Sequence, residues 1–289
     1  MMDRHAFLII AHNEPELLKI LISLLDHPRC DIYIHIDRKA DIKIFSDINS
    51  KNSKIRFVED RIDVKWGHYS LIQSEMKLFE TAYSQGSYSY YHLMSGVDLP
   101  LKPIEEILQW FDRNSGYEYI GIWPADRKFK KRMHHRYFFI TKRRNLMTTV
   151  ILAFQKLLGI KWNRGTEVWM GSNWGSFTSS FVGRILEHKV WIHRHFRYAF
   201  CGDELYKPTL MRHLNIENND KGSLYNIDWK RGNPYTWQDT DYEALISSGK
   251  LFARKFSTSN MNIVRKIEDS CKSAGRSSEQ GISLDQELE

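Results

Sequence analysis

Residues 6–25 read AFLIIAHNEPELLKILISLL, and the change of period inside this stretch decides the fold. Ala6 to Ala11 is an unbroken apolar run of strand length, the pattern of a strand buried on both faces. Asn13 is placed to cap a helix, and Pro15 fits its first turn. Leu17, Leu18, Leu21, Leu24 and Leu25 then recur at helical spacing. A buried strand feeding directly into an amphipathic helix is the repeating unit of a parallel sheet.

Outward from this stretch the unit recurs. Ile32 to Asp37 is a strand ending on an acid, and Ile55 to Val58 is a third strand. Leu71 to Tyr83 is helical, Tyr90 to Met94 a strand, Ile104 to Phe111 helical, and Tyr117 to Ile122 closes the series as a strand. The alternation predicts an α/β fold with a mostly parallel central sheet and helices on both faces. Ligands of such sheets bind beyond the carboxyl ends of the strands. His12, Asp37 and Ser95 to Asp98 fall at such ends. Further along, Thr178 to Glu187 and Asp203 to Leu214 have helical spacing, and Thr240 with Glu243 forms a capping-box pattern. Residues 1–269 are predicted to form one domain, made of a first part (1–125), a basic segment with an apolar helix (126–165) and a last part (166–269). The tail 270–289, rich in Ser, Gly, Gln and Glu, is predicted to be disordered.

A chain of 289 residues with 42% hydrophobic content has the length and composition of a globular protein. Cys30, Cys201 and Cys271 are too few and too far apart for a disulfide framework or a zinc site, which predicts a reducing cytosol. No basic segment followed by a long apolar run opens the sequence, and no stretch approaches the roughly 20 apolar residues that span a bilayer. A cytoplasmic protein is expected. The net charge of +7 points to an anionic partner: nucleic acid, an anionic membrane or a phosphorylated ligand. Much of the charge lies in Arg127 to Arg144, which leads into Leu146 to Ile160, an apolar run whose one charge is Lys156. Two readings stand there, a core helix with a solvated basic lead-in or a surface helix resting on anionic lipid. The run has none of the recognisable nucleic-acid modules, so no nucleic-acid partner is expected.

Two short segments carry candidate chemistry. In Phe200-Cys201-Gly202-Asp203-Glu204-Leu205, Glu204 falls in a first helical turn, where the helix dipole favours a carboxylate by about 0.3–1 kcal/mol. Such a carboxylate suits a general base, and equally suits helix stability alone. In Phe252-Ala253-Arg254-Lys255-Phe256, two cations between aromatics suit a phosphate site, or an edge strand with solvated charges. The Asp-x-Asp that many nucleotide-sugar transferases place at a strand end is missing, because Ser95-Gly96-Val97-Asp98-Leu99-Pro100 carries one acid. The sole Asp-x-Asp, Asp239-Thr240-Asp241, overlaps the capping pattern and reads as a cap. No glycine-rich dinucleotide fingerprint or phosphate loop occurs, which excludes the common dehydrogenase and kinase sites.

Taken in order, Leu8 to Asn13, Tyr33 to Asp37, Trp66-Gly67-His68, Ser95 to Leu101, Gly171-Ser172-x-Trp174, Gly202-Asp203-Glu204 and Phe252 to Phe256 resemble the core-2/I-branching β-1,6-N-acetylglucosaminyltransferase family, which includes peptide O-xylosyltransferases. The resemblance covers roughly residues 5–257. It implies a GT-A-type nucleotide-sugar fold and an inverting transfer that needs neither metal nor cofactor. It assigns Glu204 as the base, Lys255 as the diphosphate contact, and Arg231, with Arg254 competing, as a second cation. His12, Asp37 and Asp98 match nucleotide-side positions; Trp229, Gly171, Ser172 and Trp174 match the acceptor side. By the same resemblance 1–125 is the nucleotide-sugar half and 166–269 the acceptor and catalytic half. The implied activity is transfer of N-acetylglucosamine from a UDP-sugar to a carbohydrate or lipid-linked oligosaccharide, in bacterial surface polysaccharide or oligosaccharide synthesis. The alternatives are xylose or another UDP-sugar as donor, and a non-catalytic basic protein bound to membrane. Animal members carry a signal anchor and several disulfides, neither of which is seen in this sequence. An enzyme at the inner face of the cell membrane is expected instead.

Overall fold

The computed structural model describes residues 3–140, 146–216, 222–232 and 234–285, with side chains through residue 273. The opening unit forms as predicted, β1 (His5–Ala11) running into α1 (Pro15–Leu25). Then come β2 (Cys30–Ile36), β3 (Lys54–Phe57), α2 (Ser70–Gln85), β4 (Tyr90–Ser95), β5 (Asp98–Pro100), α3 (Ile104–Arg113) and β6 (Ile122–Pro124). The middle of the chain supplies α4 (Arg127–His134), α5 (Leu146–Leu157), β7 (Trp169–Gly171), β8 (Gly175–Thr178), α6 (Ser179–Glu187) and α7 (Lys189–Phe196). The last part supplies α8 (Asp203–His213), β9 (Tyr225–Ile227), α9 (Tyr242–Ile246), β10 (Phe252–Arg254) and α10 (Met261–Asp285).

The central sheet has the order β3-β2-β1-β4-β8, parallel throughout except where β8 runs antiparallel beside β4. Side chains of β1 alternate between two cores, as the two-residue period of a strand requires. Phe7, Ile9 and Ala11 pack on one face with residues of α1, α3 and α10; Ala6, Leu8 and Ile10 pack on the other with residues of α2, α6 and α8. This is the α/β architecture predicted, with helices on both faces of a mostly parallel sheet. A three-stranded sheet, β5-β10-β9, and a β6-β7 hairpin-like pair flank it.

Several expectations are corrected. Asn13 does not cap α1; Glu14 precedes the helix in the left-handed region (φ 55°) with no side-chain cap. Its carboxylate is used elsewhere, accepting from Ser257 Oγ at 2.8 Å and from the Thr258 hydroxyl. The capping box lies two residues earlier than the sequence pattern suggested, between Gln238 and Asp241 rather than Thr240 and Glu243. Residues 117–122 form a single bridge, Tyr119 to Ser176, before β6 begins at Ile122. The helix α10 runs from Met261 to Asp285, past Ser270, where the tail was expected to begin. Ile263, Val264, Ile267 and Cys271 bury one face of that helix and supply the costly nucleus, from which a polar continuation propagates. Residues 286–289 lie outside the described residues. The core-helix reading of Leu146 to Ile160 is also overturned. Leu146, Met147, Val150, Phe154 and Leu157 are all more than half exposed, and Gln155 is the buried residue of α5. The basic lead-in is itself helical in α4, with Asp126 accepting from the Phe129 N–H as its cap; Lys142, Arg143 and Arg144 lie outside the described residues. Among the described residues no helix is long and apolar enough to cross a membrane.

Candidate functional site

Glu204 stands in the first turn of α8. A glycine sets its approach. Cys201 donates its backbone N–H to the Gly67 carbonyl at 2.8 Å, which brings Trp66-Gly67-His68 against the start of α8. Gly67 has φ +70°, and a Cβ there would lie 2.8 Å from the Phe200 ring, so both conformation and space demand glycine. Glu204 Oε2 accepts from Arg132 Nη1 at 2.6 Å. The Arg132 guanidinium rests over Phe129 at 4.2 Å and reaches Phe200 at 5.5 Å, and Phe200 meets Trp66 edge to face. The carboxylate, one third exposed, is thus oriented through one oxygen. Among the described residues its Oε1 carries no hydrogen bond. Arg132 was not singled out in the sequence. The available signal was the three-residue spacing of Phe129 and Arg132, which on a helix lays the guanidinium over the ring.

Beneath α8 lies a buried polar network. Lys207 Nζ donates to Glu75 Oε2 at 2.7 Å and to Asn173 Oδ1 at 2.9 Å, and the Tyr206 hydroxyl donates to the same Glu75 oxygen at 2.5 Å. Lys207 and Glu75 are completely buried. Asp203 Oδ1 and Glu75 Oε1 are buried with no partner among the described residues. Burial, then the charges of Glu204 and Glu75, push the Asp203 carboxyl up to about 7. Burial lowers the Lys207 ammonium, against the opposing pull of Glu75.

The second cluster gathers at the carboxyl ends of the parallel strands. The Asp37 N–H bonds the Ala11 carbonyl at 2.9 Å, and the Gly96 N–H bonds the Ile10 carbonyl at 2.9 Å, so His12, Asp37 and Ser95 to Asp98 converge as predicted. His12 is exposed there. Asp37 is buried, accepting from the Lys39 N–H at 2.9 Å and pairing with Lys39 Nζ at 3.1 Å. Asp98, expected on the nucleotide side, has a fully buried carboxylate that accepts from the Ser95 N–H at 2.8 Å and from Arg254 Nη1 at 2.7 Å, which braces the strand end. Burial raises its carboxyl, opposed by Arg254 and the Ser95 N–H.

Of the three nominated cations, two are committed. Arg254 pairs with Asp98 and lies over the Trp174 ring at 4.7 Å. Arg231 pairs with Asp228 at 2.6 Å and with Asp241 at 2.7 Å, over the Tyr235 ring. No carboxylate pairs with the Lys255 ammonium among the described residues. Lys255 is fixed by its backbone, which bonds Tyr235 and Trp237, and by Phe256, whose N–H bonds the Val97 carbonyl at 2.9 Å. Asp239-Thr240-Asp241 acts as a local cap, Asp241 holding Arg231 and Asp239 holding Lys266 at 2.9 Å.

On the acceptor side, Trp229 is 58% exposed and offers an open indole face. The segment from Gly171 to Trp174 is more architectural than open. Gly171 is buried, and a Cβ there would lie 2.1 Å from the Gly121 carbonyl oxygen, so only glycine lets β7 approach β6. Ser172 Oγ accepts from the Trp174 N–H at 3.1 Å. Asn173 takes the bond from Lys207, and Trp174 packs against both cores while carrying Arg254. A continuous chain of contacts therefore joins the helix of Glu204 to the strand end of Asp98 through Lys207, Asn173, Trp174 and Arg254.

No curated protein matches the chain. Two solved structures are similar at low identity: mouse xyloside xylosyltransferase 1 in its apo form (11% identical, TM-score 0.38, covering 87% of this chain and 97% of that one) and 4-diphosphocytidyl-2C-methyl-D-erythritol synthase (10% identical, TM-score 0.37, covering 75% and 87%). Likenesses this distant say nothing about activity. The model of the family described as Core-2/I-Branching enzyme matches residues 5–254, a span that holds Glu204, Arg132, the strand-end cluster and the Gly171 to Trp174 segment, and stops one residue short of Lys255. The chain belongs to the Core-2/I-branching enzyme family of glycosyltransferases, which join a nucleotide-sugar donor to a carbohydrate or glycoconjugate acceptor.

Proposed function

We propose that this glycosyltransferase inverts the anomeric centre, works without metal, and moves N-acetylglucosamine from UDP-N-acetylglucosamine to a hydroxyl of a saccharide or lipid-linked oligosaccharide at the inner face of the cell membrane, in surface polysaccharide or oligosaccharide synthesis. The observation that carries the reading is Glu204, partly exposed at the start of α8, held through one carboxylate oxygen by Arg132 with the other open. Glu204 Oε1 takes the proton of the acceptor hydroxyl as that oxygen attacks C1 of the sugar. The C1–O bond to the diphosphate breaks on the opposite side, through an oxocarbenium-like transition state, and the electron pair leaves with UDP. Lys255, whose charge no carboxylate offsets among the described residues, stabilises the negative charge that develops there. Arg254 and Arg231 are each already balanced by acids. His12 and Asp37 border the nucleotide at the strand ends, and Trp229 stacks on the acceptor sugar.

The test is a screen of UDP-sugars by thermal stabilisation, followed by transfer to a sugar acceptor with the product's anomeric configuration read by NMR. UDP-N-acetylglucosamine should stabilise the protein most and give a β-linked product. Preferential stabilisation by UDP-xylose would move the donor assignment, and an α-linked product would refute inversion.

A further inference from the structure

Helices α4 and α5 form a unit whose outer side the transferase chemistry does not use. Gln155 clamps them, accepting from the Arg136 N–H at 2.9 Å and donating to the Arg136 carbonyl at 3.0 Å. The Arg136 guanidinium lies 3.3 Å from the centre of the Trp162 ring, and the Trp162 N–H bonds the His134 carbonyl at 2.9 Å. Between the helices is a cavity of about 730 Å³ lined by Arg127, Lys130, Lys131, His134, Lys156 and Lys161, with no carboxylate among its lining residues. His135 also lines it, 6% exposed, and its Nδ1 has no partner among the described residues. Along α5, Leu146, Met147, Val150, Phe154 and Leu157 leave a helical stripe of large apolar side chains open to water, and Leu158 extends it.

We infer that the α4–α5 unit is a docking surface for an anionic lipid bilayer, with lipid phosphates in the basic cavity and the α5 stripe set among the acyl chains. The inference deepens the acceptor side of the transferase reading and rests on it only for its biological purpose. Charge complementarity selects the occupant. A second copy of the chain seated on α5 would cover the apolar stripe but bring no counter-charge to the carboxylate-free basic cavity, and a nucleic acid would leave the apolar stripe in water. A bilayer with anionic headgroups satisfies both surfaces at once, the arrangement of an amphipathic helix lying in the interface plane.

The experiment is flotation of the full chain with vesicles of phosphatidylcholine alone and of phosphatidylcholine with phosphatidylglycerol. Binding should appear on the anionic vesicles, at least tenfold tighter than on the neutral ones, and weaken with salt. Neutralising Lys130, Lys131, Lys156 and Lys161 to Gln should weaken it by about fivefold per residue. Leu146→Ser with Phe154→Ser should weaken it at unchanged charge, while leaving the melting temperature and transfer to a soluble acceptor intact, since these side chains are exposed and outside the catalytic cluster. Equal binding to both vesicles, no binding to either, or loss of a concentration-dependent dimer in the Leu146→Ser, Phe154→Ser variant without vesicle binding would each overturn the inference. Because vesicle binding is read without turnover, a failed transferase assignment leaves a distinct signature: docking without transfer.

Discussion

Removing the charge of Lys207 by Lys207→Met leaves Glu75 fully buried, with the Tyr206 hydroxyl as its remaining donor and one oxygen already without a partner. Breaking a buried pair from one side costs about 3–5 kcal/mol, because the remaining ion keeps its desolvation penalty and loses its partner. Glu75→Gln leaves the ammonium buried with only neutral amide oxygens to receive it, at a similar cost. The double variant is a different case. Both charges are then gone, Gln at position 75 still accepts from Tyr206, and the desolvation penalty disappears with the ions. Its loss should be no greater than that of the worse single variant, which gives a coupling of at least about 3 kcal/mol in a double-mutant cycle. Urea unfolding at neutral pH measures this. For a chain of this size a single variant should lower the midpoint by roughly 1–2 M, with the slope unchanged. Single variants within 1 kcal/mol of the parent, or costs that simply add, would show that the network is not a coupled buried pair and that α8 is held by apolar packing alone.

Glu204→Gln should reduce kcat by roughly 10²- to 10⁴-fold while keeping UDP affinity, read by turnover and calorimetry; substantial retained turnover removes Glu204 as the base. Lys255→Ala should weaken UDP binding by roughly 10- to 100-fold, and an unchanged Kd takes Lys255 out of the site. Activity should survive a chelator, and loss rescued by manganese refutes the metal-free mechanism. Asp203 sets a pH dependence. Its carboxyl is raised to about 7, above the ordinary 3.8, so the native state holds the extra proton. Its stabilising contribution is full below about pH 4 and lost as pH rises to about 7. Asp203→Asn should therefore gain on the parent across that window, by up to about 4 kcal/mol above it. Glu118, raised to about 7 mainly by burial, adds a slope of the same sign in both proteins, so the difference between them is the quantity to measure. A difference that stays flat with pH would mean the buried carboxyl does not titrate there.

The parallel sheet was legible because β1, β2 and β4 are mostly apolar runs of strand length, buried on both faces. Local chemistry was less legible where a side chain had a distant partner to choose. Glu14 takes Ser257 and Thr258, which leaves Asn13 without a capping role, and Gln238 displaces Thr240 as the cap. Exposure was harder still. An apolar 12-residue run such as α5 looks alike whether it faces a core or water, since its period says which face is apolar and nothing about what covers it. Motif order singled out Glu204 and Lys255 as candidates, yet no local pattern could show that Asp98 is paired with Arg254, 156 residues away, or that Lys207 answers Glu75 across 132 residues.

The bonds from Glu14 to Ser257 and Thr258 join positions 243 and 244 residues apart. A ribosome makes the chain from one end, and the first strands can pair while the rest is still unmade. The loop after β1 cannot take its final left-handed turn with these partners until β10 and the residues after it have emerged. The Glu14 turn therefore reaches its final contacts late, although its residues are among the earliest translated. Any ribosome-stalled or truncated product that ends before Ser257 lacks the bonds that hold the Glu14 carboxylate beside the end of β1.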